Sequence, residues 1–121
     1  MTLAIPVWEG RVSPVLDTAK RLLIVRLEDG RVVGRDEAPL REQAPPARAS
    51  ALSQLGIHLL ICGALSAQLQ AAIAGHGMDL ISWTMGPVDE VLHAYLAGEL
   101  DDPRYAMPGG PAGLPSTSGP A

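Results

Sequence analysis

Cysteine, phenylalanine and lysine are almost missing from this chain of 121 residues: one Cys (Cys62), no Phe, and a single Lys (Lys20). One thiol excludes an internal disulfide and the stapled, secreted scaffolds that depend on several. It also excludes a cluster assembled on the chain's own sulfurs, which takes about four thiolates. Aromatic residues make up only 3% of the sequence, so the core must be aliphatic. With a net charge of −4 there is no concentrated basic face of the kind nucleic acid requires. No apolar run reaches membrane-spanning length, and the amino terminus lacks a charged-then-apolar leader. The expectation is a soluble, cytoplasmic, single-domain protein that engages neither nucleic acid nor membrane, with its oligomeric state open.

What is there is a set of short apolar runs separated by turn signals. Thr2–Trp8 reads as a first strand. Pro6 cannot donate to a ladder, so pairing on one side should lapse near it. Glu9–Lys20 reads as irregular, punctuated by Gly10 and Ser13-Pro14. Arg21–Glu28 is a strand, Asp29-Gly30 a tight turn, and Arg31–Asp36 its hairpin partner at a sheet edge exposed on one side. A proline-stiffened linker, Glu37–Pro46, leads to a helix from about Pro46 to Leu55 that Gly56 ends. A strand follows at Ile57–Cys62. Ser66 then caps a helix that Gly75 or Gly77 terminates, and Asp79–Thr84 forms a short strand. Gly86-Pro87 opens the last helix, with proline at its first position and Val88, Val91, Leu92, Tyr95 and Leu96 as a buried stripe.

The order β-β-β-α-β-α-β-α predicts an α/β fold: a mixed five-stranded sheet with helices against it, close to the ribonuclease-H-like arrangement. Residues 1–100 form the domain. Composition then shifts to Pro, Gly, Ser and Ala, and 101–121 reads as a flexible tail in which Tyr105–Met107 alone has the character to dock.

The chain is organised around Ile57–Ala67 (I-H-L-L-I-C-G-A-L-S-A), where an apolar strand runs into Cys62 and Gly63 before a helix. In open α/β sheets ligands bind where strands end and helices begin, so Cys62 stands where a site belongs. A thiolate there is a soft ligand for a metal or cluster edge, with a helix N-terminus to lower its pKa; the alternative is a small buried residue closing a strand. His58 shares a strand face with Cys62 but lies about 13 Å along it, too far for a shared metal. His76, between Gly75 and Gly77, is a candidate mobile ligand, and His93 points away from the buried stripe. Ser13 and Gly86 belong to two further loops whose backbone amides could receive an anionic group. Carboxylates for a two-metal nuclease are absent from the strand interiors, and no phosphate loop is present.

Several blocks in order, L-A-I-P-V, R-V-S-P-V-L-D-T-A-K-R-L-L-I-V, L-E-D-G-R-V, L-S-Q-L-G-I-H-L-L-I-C-G-A-L-S and G-P-V-D-E-V-L-H-A-Y-L-A-G-E-L, resemble the dinitrogenase iron–molybdenum cofactor biosynthesis domain. This is the family of NifX, NafY and the carboxyl-terminal part of NifB, and the likeness covers about Met1 to Leu100. It implies a ribonuclease-H-like domain that binds or carries iron–molybdenum cofactor, its precursor or another metal–sulfur cluster, as an accessory protein and not an enzyme. Many members have a histidine followed by Phe-Gly-Arg where this chain has Leu16–Lys20, and some have a cysteine after Met-Pro-Gly where Gly110 stands here.

Two functions follow as expectations. In the first, the chain is a non-catalytic carrier of a preassembled cluster between donor and recipient proteins. Cys62 is its anchor, Gly63, Ser13 and Gly86 form the rim, and His76 is an auxiliary ligand. In the second, it is a protein-interaction module that kept the fold without a cluster, and Cys62 is core. An enzyme pairing Cys62 with His76 would require the two to be neighbours.

Overall fold

The computed structural model describes residues 1–109. Six strands and three helices follow one another: β1 (Thr2–Trp8), β2 (Arg11–Val12), β3 (Arg21–Glu28), β4 (Arg31–Pro39), α1 (Pro45–Gln54), β5 (Leu59–Ile61), α2 (Ala67–Gly75), β6 (Asp79–Ile81) and α3 (Val88–Leu96). Short 3-10 turns lie at Leu16–Thr18 and Pro103–Tyr105. The sheet order is β4-β3-β1-β5-β6, with β2 paired to the far end of β1. β4, β3 and β1 are antiparallel, while β1, β5 and β6 are parallel. The sheet is therefore mixed, as expected, but six-stranded instead of five.

The extra strand comes from a hairpin hidden in the segment read as irregular. Glu9 and Gly10 both have positive φ (51° and 76°), and Trp8 faces Arg11 across them. Two left-handed residues between paired strands make the turn whose twist suits a hairpin, as Asp29-Gly30 does between β3 and β4. Glu-Gly is a weaker signature than Asp-Gly, which is why only the second was legible. Pro6 behaves as its chemistry requires. The parallel register with β5 covers Leu3 and Ala4 only, and beyond it the Pro6 carbonyl accepts the Ser13 amide at 2.8 Å.

Alternation along the strands splits the core into two faces. Ala4, Leu22, Leu60 and Cys62 point to one, where Ala49 and Leu52 of α1 and Leu69 and Ile73 of α2 cover them. Leu3, Ile5, Leu23, Val25, Leu59 and Ile61 point to the other, under Val88, Val91 and Leu92 of α3. In α3 the buried set takes in Ala94, whereas Leu96 is exposed, and Pro87 is the N-cap instead of the first helical residue. β4 runs three residues past the expected hairpin arm, into the supposed linker. It is open to solvent along nearly all of its length, not on one side alone. Residues 101–107, which composition placed in the tail, carry on the fold. Met85 N donates to Tyr105 O and Met107 N to Trp83 O, each within 2.9 Å, and Tyr105 packs on the α3 face of the core. Tyr105 supplies the apolar contact that the surrounding Pro and Gly lack. The remainder of the expected tail, 110–121, lies outside the described residues.

The loops at the carboxyl ends of β1, β5 and β6 are clamped to one another. Ala64 N donates to Pro14 O (2.9 Å) and Leu16 N to Ala64 O (2.8 Å), while Val12 N reaches Gly86 O (3.0 Å) and Val88 N reaches Gly10 O (2.9 Å). Gly63 makes the first contact possible: a Cβ there would stand 2.5 Å from Pro14 O and 2.8 Å from Ser13 O. Both obstacles are backbone, so neither can swing aside. Gly63→Ala should therefore cost about 1–3 kcal/mol, the usual range for overpacking, read as a lowered urea midpoint at unchanged slope.

Candidate functional site

The structure brings four of the five sequence-derived candidates together. Cys62 and Gly63 directly follow β5, which is shorter at both ends than the expected Ile57–Cys62 strand; Ser13 lies across from them on the β2 side, and Gly86 closes the same cluster from the β6–α3 loop. His76 is elsewhere. It follows the last turn of α2, which begins just after Cys62 and runs back across the sheet to the edge where β6 starts. Cys62 and His76 thus sit at opposite ends of a helix, and the pairing a thiol–histidine enzyme needs is not formed.

The chemistry at the cluster differs from the expected rim. Cys62 is 0% exposed, its side chain packed with Leu60, Leu69 and their neighbours under α1 and α2. Its backbone is equally engaged, the amide donating to Ile81 O and the carbonyl accepting from Thr84 N, both at 2.9 Å. Burial, with the Asp17 carboxylate adding to it, pushes the thiol up to about 12 from 9.0. The expected lowering by a helix N-terminus is absent: burial dominates, and the entry to α2 is capped from within the fold. Ser66 Oγ takes the Leu69 amide (3.1 Å), and Asp17 Oδ1 takes the Ser66 amide (2.8 Å). The Ser13 amide goes to Pro6 O, and Gly86, at φ 127°, is buried against Tyr105 and Val91. These amides close loops. Among the described residues no group of three or more His, Cys, Asp or Glu side chains is placed to hold a metal ion.

His58 is exposed and its Nδ1 accepts the Thr2 amide at 2.9 Å, a link between β1 and the start of β5. Trp83 has φ 59°, a conformation unusual for a bulky residue. Its amide donates to Gly63 O, so the strain is held by the same loop clamp.

The open space lies on the outer side of the clamp. A cleft of about 620 Å³ runs between the β1–β2 hairpin and the start of β3, lined by Val7, Trp8, Glu9, Gly10, Ser13, Pro14, Val15 and the stretch from Thr18 to Arg21, together with Glu37. Trp8 is 60% exposed at its mouth. Arg21 Nε is bonded to Glu37 Oε1 at 3.0 Å, which leaves Lys20 as the unpaired charge of this cleft's cations. Of the sequence candidates only Ser13 reaches this wall. Trp8 went unnoticed because it ends an apolar strand and reads as core; the Glu-Gly turn directly after it was the available signal that it sits at an exposed tip.

Residues 1–98 match the dinitrogenase iron-molybdenum cofactor family. The chain belongs to that family. No curated protein matches it. Among solved structures, PH0822 superposes with a TM-score of 0.76 at 16% identity, covering 82% of this chain and 93% of that one. A candidate dinitrogenase from Methanocaldococcus jannaschii (mj0327) gives 0.69 at 19% identity over 82% of this chain and 90% of that one. A candidate NifB protein from Thermotoga (TM1290), of the DUF35 family, gives 0.62 at 21% identity over 81% and 89%. At these identities the likeness is one of fold. Among the described residues no helix is long and apolar enough to cross a membrane.

The sealed thiol gives two linked outcomes. Native protein at pH 8 should be inert to a thiol reagent that titrates Cys62 fully once the chain is unfolded. The folded thiol ionises later than the unfolded one, so the unfolded state binds fewer protons above pH 9. Stability then falls, by up to about 1.4 kcal/mol per pH unit, until pH approaches about 12. The difference in unfolding free energy between wild type and Cys62→Ala, followed from pH 8 to 11, isolates that slope.

Proposed function

We propose that this chain is a non-catalytic accessory protein of iron–molybdenum cofactor biosynthesis that carries a preassembled metal–sulfur cofactor, or its precursor, as cargo between donor and recipient proteins. The sheet order, antiparallel on one side of β1 and parallel on the other, supports the ribonuclease-H-like reading of its fold. The observation that carries the functional reading is the Trp8 cleft. It is an apolar hollow with one exposed indole and a few charged groups, built on loops held rigid by the Gly63 clamp, in a member of this family. Cargo that brings its own sulfides is gripped there by its outer surface, through contact with Val7, Trp8 and Val15 and by the Lys20 charge. Ligation by Cys62 would require the 13–16 and 63–66 loops to part, losing both hydrogen bonds between Ala64 and its neighbours.

The test is anaerobic incubation of the protein with extracted iron–molybdenum cofactor, then gel filtration with iron and molybdenum measured in the protein fraction. Both metals should co-elute with wild type and with Cys62→Ala, and Trp8→Ala should retain about tenfold less, as expected for loss of a central aromatic contact. Metal retention that depends on Cys62 and ignores Trp8 moves the cargo to the strand end and overturns the cleft.

A second reading, an interaction module that holds no cluster, is favoured by the buried Cys62 and by the open edge of β4, where Val32 and Val33 are 39% and 53% exposed. It takes over if no variant and no wild-type sample retains metal.

A further inference from the structure

We infer that a second cleft, on the other side of the Thr18–Arg21 segment, is a binding site for a small tetrahedral oxyanion. Four of the chain's nine Lys and Arg residues line it: Lys20, Arg21, Arg41 and Arg48. It has a volume of about 790 Å³, and Asp17 is its only acidic lining residue. The chain's net charge is −4, and of its five other cations Arg26, Arg35 and Arg104 are paired with Asp36, Asp89 and Asp102, while within the cleft Arg21 alone is paired, with Glu37.

Arg48 points to a ligand. It is 3% exposed, in the first turns of α1, and its Nη1 donates to Leu16 O at 3.2 Å. Its Nε is buried with no acceptor at all. A guanidinium carries five N–H donors, and leaving one buried and unmet is destabilising. Burial also lowers the Arg48 pKa, against the pull of Asp17 and Glu42, so the neighbouring carboxylates fall short of replacing the water it lost. Asp17 has little to spare, since its Oδ1 already holds the Ser66 amide. This lining suits an acceptor with several oxygens and negative charge, with Arg48 on the inner wall and Lys20 and Arg41, both exposed, at the rim. Phosphate, sulfate and molybdate share that chemistry. The site shares Thr18, Lys20 and Arg21 with the Trp8 cleft, but it rests on Arg48 and does not depend on the cargo reading.

Thermal unfolding of the full chain is followed while sodium phosphate, sulfate or molybdate is titrated separately, with chloride at matched ionic strength as control. At least one oxyanion should raise Tm saturably, by about 5 °C or more well above its Kd, where chloride does not. A response to phosphate marks a phosphate-bearing ligand, and a selective response to molybdate a molybdenum source. Arg48→Met should abolish the shift. Because that substitution touches the core, the exposed double variant Lys20→Gln/Arg41→Gln provides the second measurement and should weaken binding about tenfold without lowering the starting Tm. Equal responses to all four salts overturn the site, as does an undiminished shift in the double variant.

Discussion

The contact between Gly63 and the Pro14 carbonyl is the constraint on which the functional end of the molecule depends. A parallel strand that ends beside its neighbour's loop normally leaves a crevice between them, and that crevice is where α/β proteins hold ligands. Here the missing side chain lets the 13–16 loop close onto the 63–66 loop, and two backbone hydrogen bonds lock the closure. The crevice over β5 is filled by the protein itself. Cys62 is thereby committed to the core, and its thiol stays protonated where an open strand end would have activated it. Space for a ligand is displaced outward, to the two flanks of the Thr18–Arg21 segment.

Those flanks differ in chemistry for reasons that trace to the elements bordering them. On the hairpin side the walls come from an apolar strand and Pro14-Val15, with the indole of Trp8 held out by a two-residue turn. On the α1 side they come from the ends of β3 and β4 and the first turns of a helix with little apolar bias, where Arg48 occupies a position that a Leu or Ala fills elsewhere on the same face. Lys20 and Arg21 border both. A carrier that accepts a cluster on one side and an oxyanion on the other would feel each ligand in the same short segment. That segment is pinned at both ends, by Ala19 N to Leu16 O and by the Arg21–Glu37 pair.

Much of the fold was legible because periodicity and turn chemistry agreed. The β3–β4 hairpin, the Ser66 cap and the α3 stripe each combine an apolar spacing with a residue that fixes the end of the element. The first hairpin was missed where those signals separate: Trp8 continues the strand pattern, and Glu9 is a poor advertisement for positive φ. The site was legible only as an address. Sequence placed Cys62, Gly63, Ser13 and Gly86 at one edge, and they are there, but it could not say that the Cys62 and Ser13 amides are taken by the Ile81 and Pro6 carbonyls. Whether a loop amide faces solvent or a neighbouring carbonyl is decided by a contact between residues about fifty apart in the chain. Arg48 is the converse case. Its spacing of four from Leu52 puts it on the buried face, but a charged residue on a helix is by default assigned to solvent.

The two arginines that touch the Thr18–Arg21 flank show how burial separates structure from binding. Arg21 is about half exposed and satisfied by Glu37, and surface pairs of this kind contribute at most about 1 kcal/mol. Its charge is already answered, so it adds little for a ligand. Arg48 is sealed, half-satisfied and dependent on a carbonyl and a carboxylate that have other partners. Evolution has an inexpensive remedy for such a residue, since Met or Leu at this position would pack without the desolvation penalty. Keeping a guanidinium instead leaves a standing demand for negative charge at the point where α1 meets the 3-10 turn. That demand, together with the open space in front of it, is what distinguishes this cleft from an ordinary surface hollow.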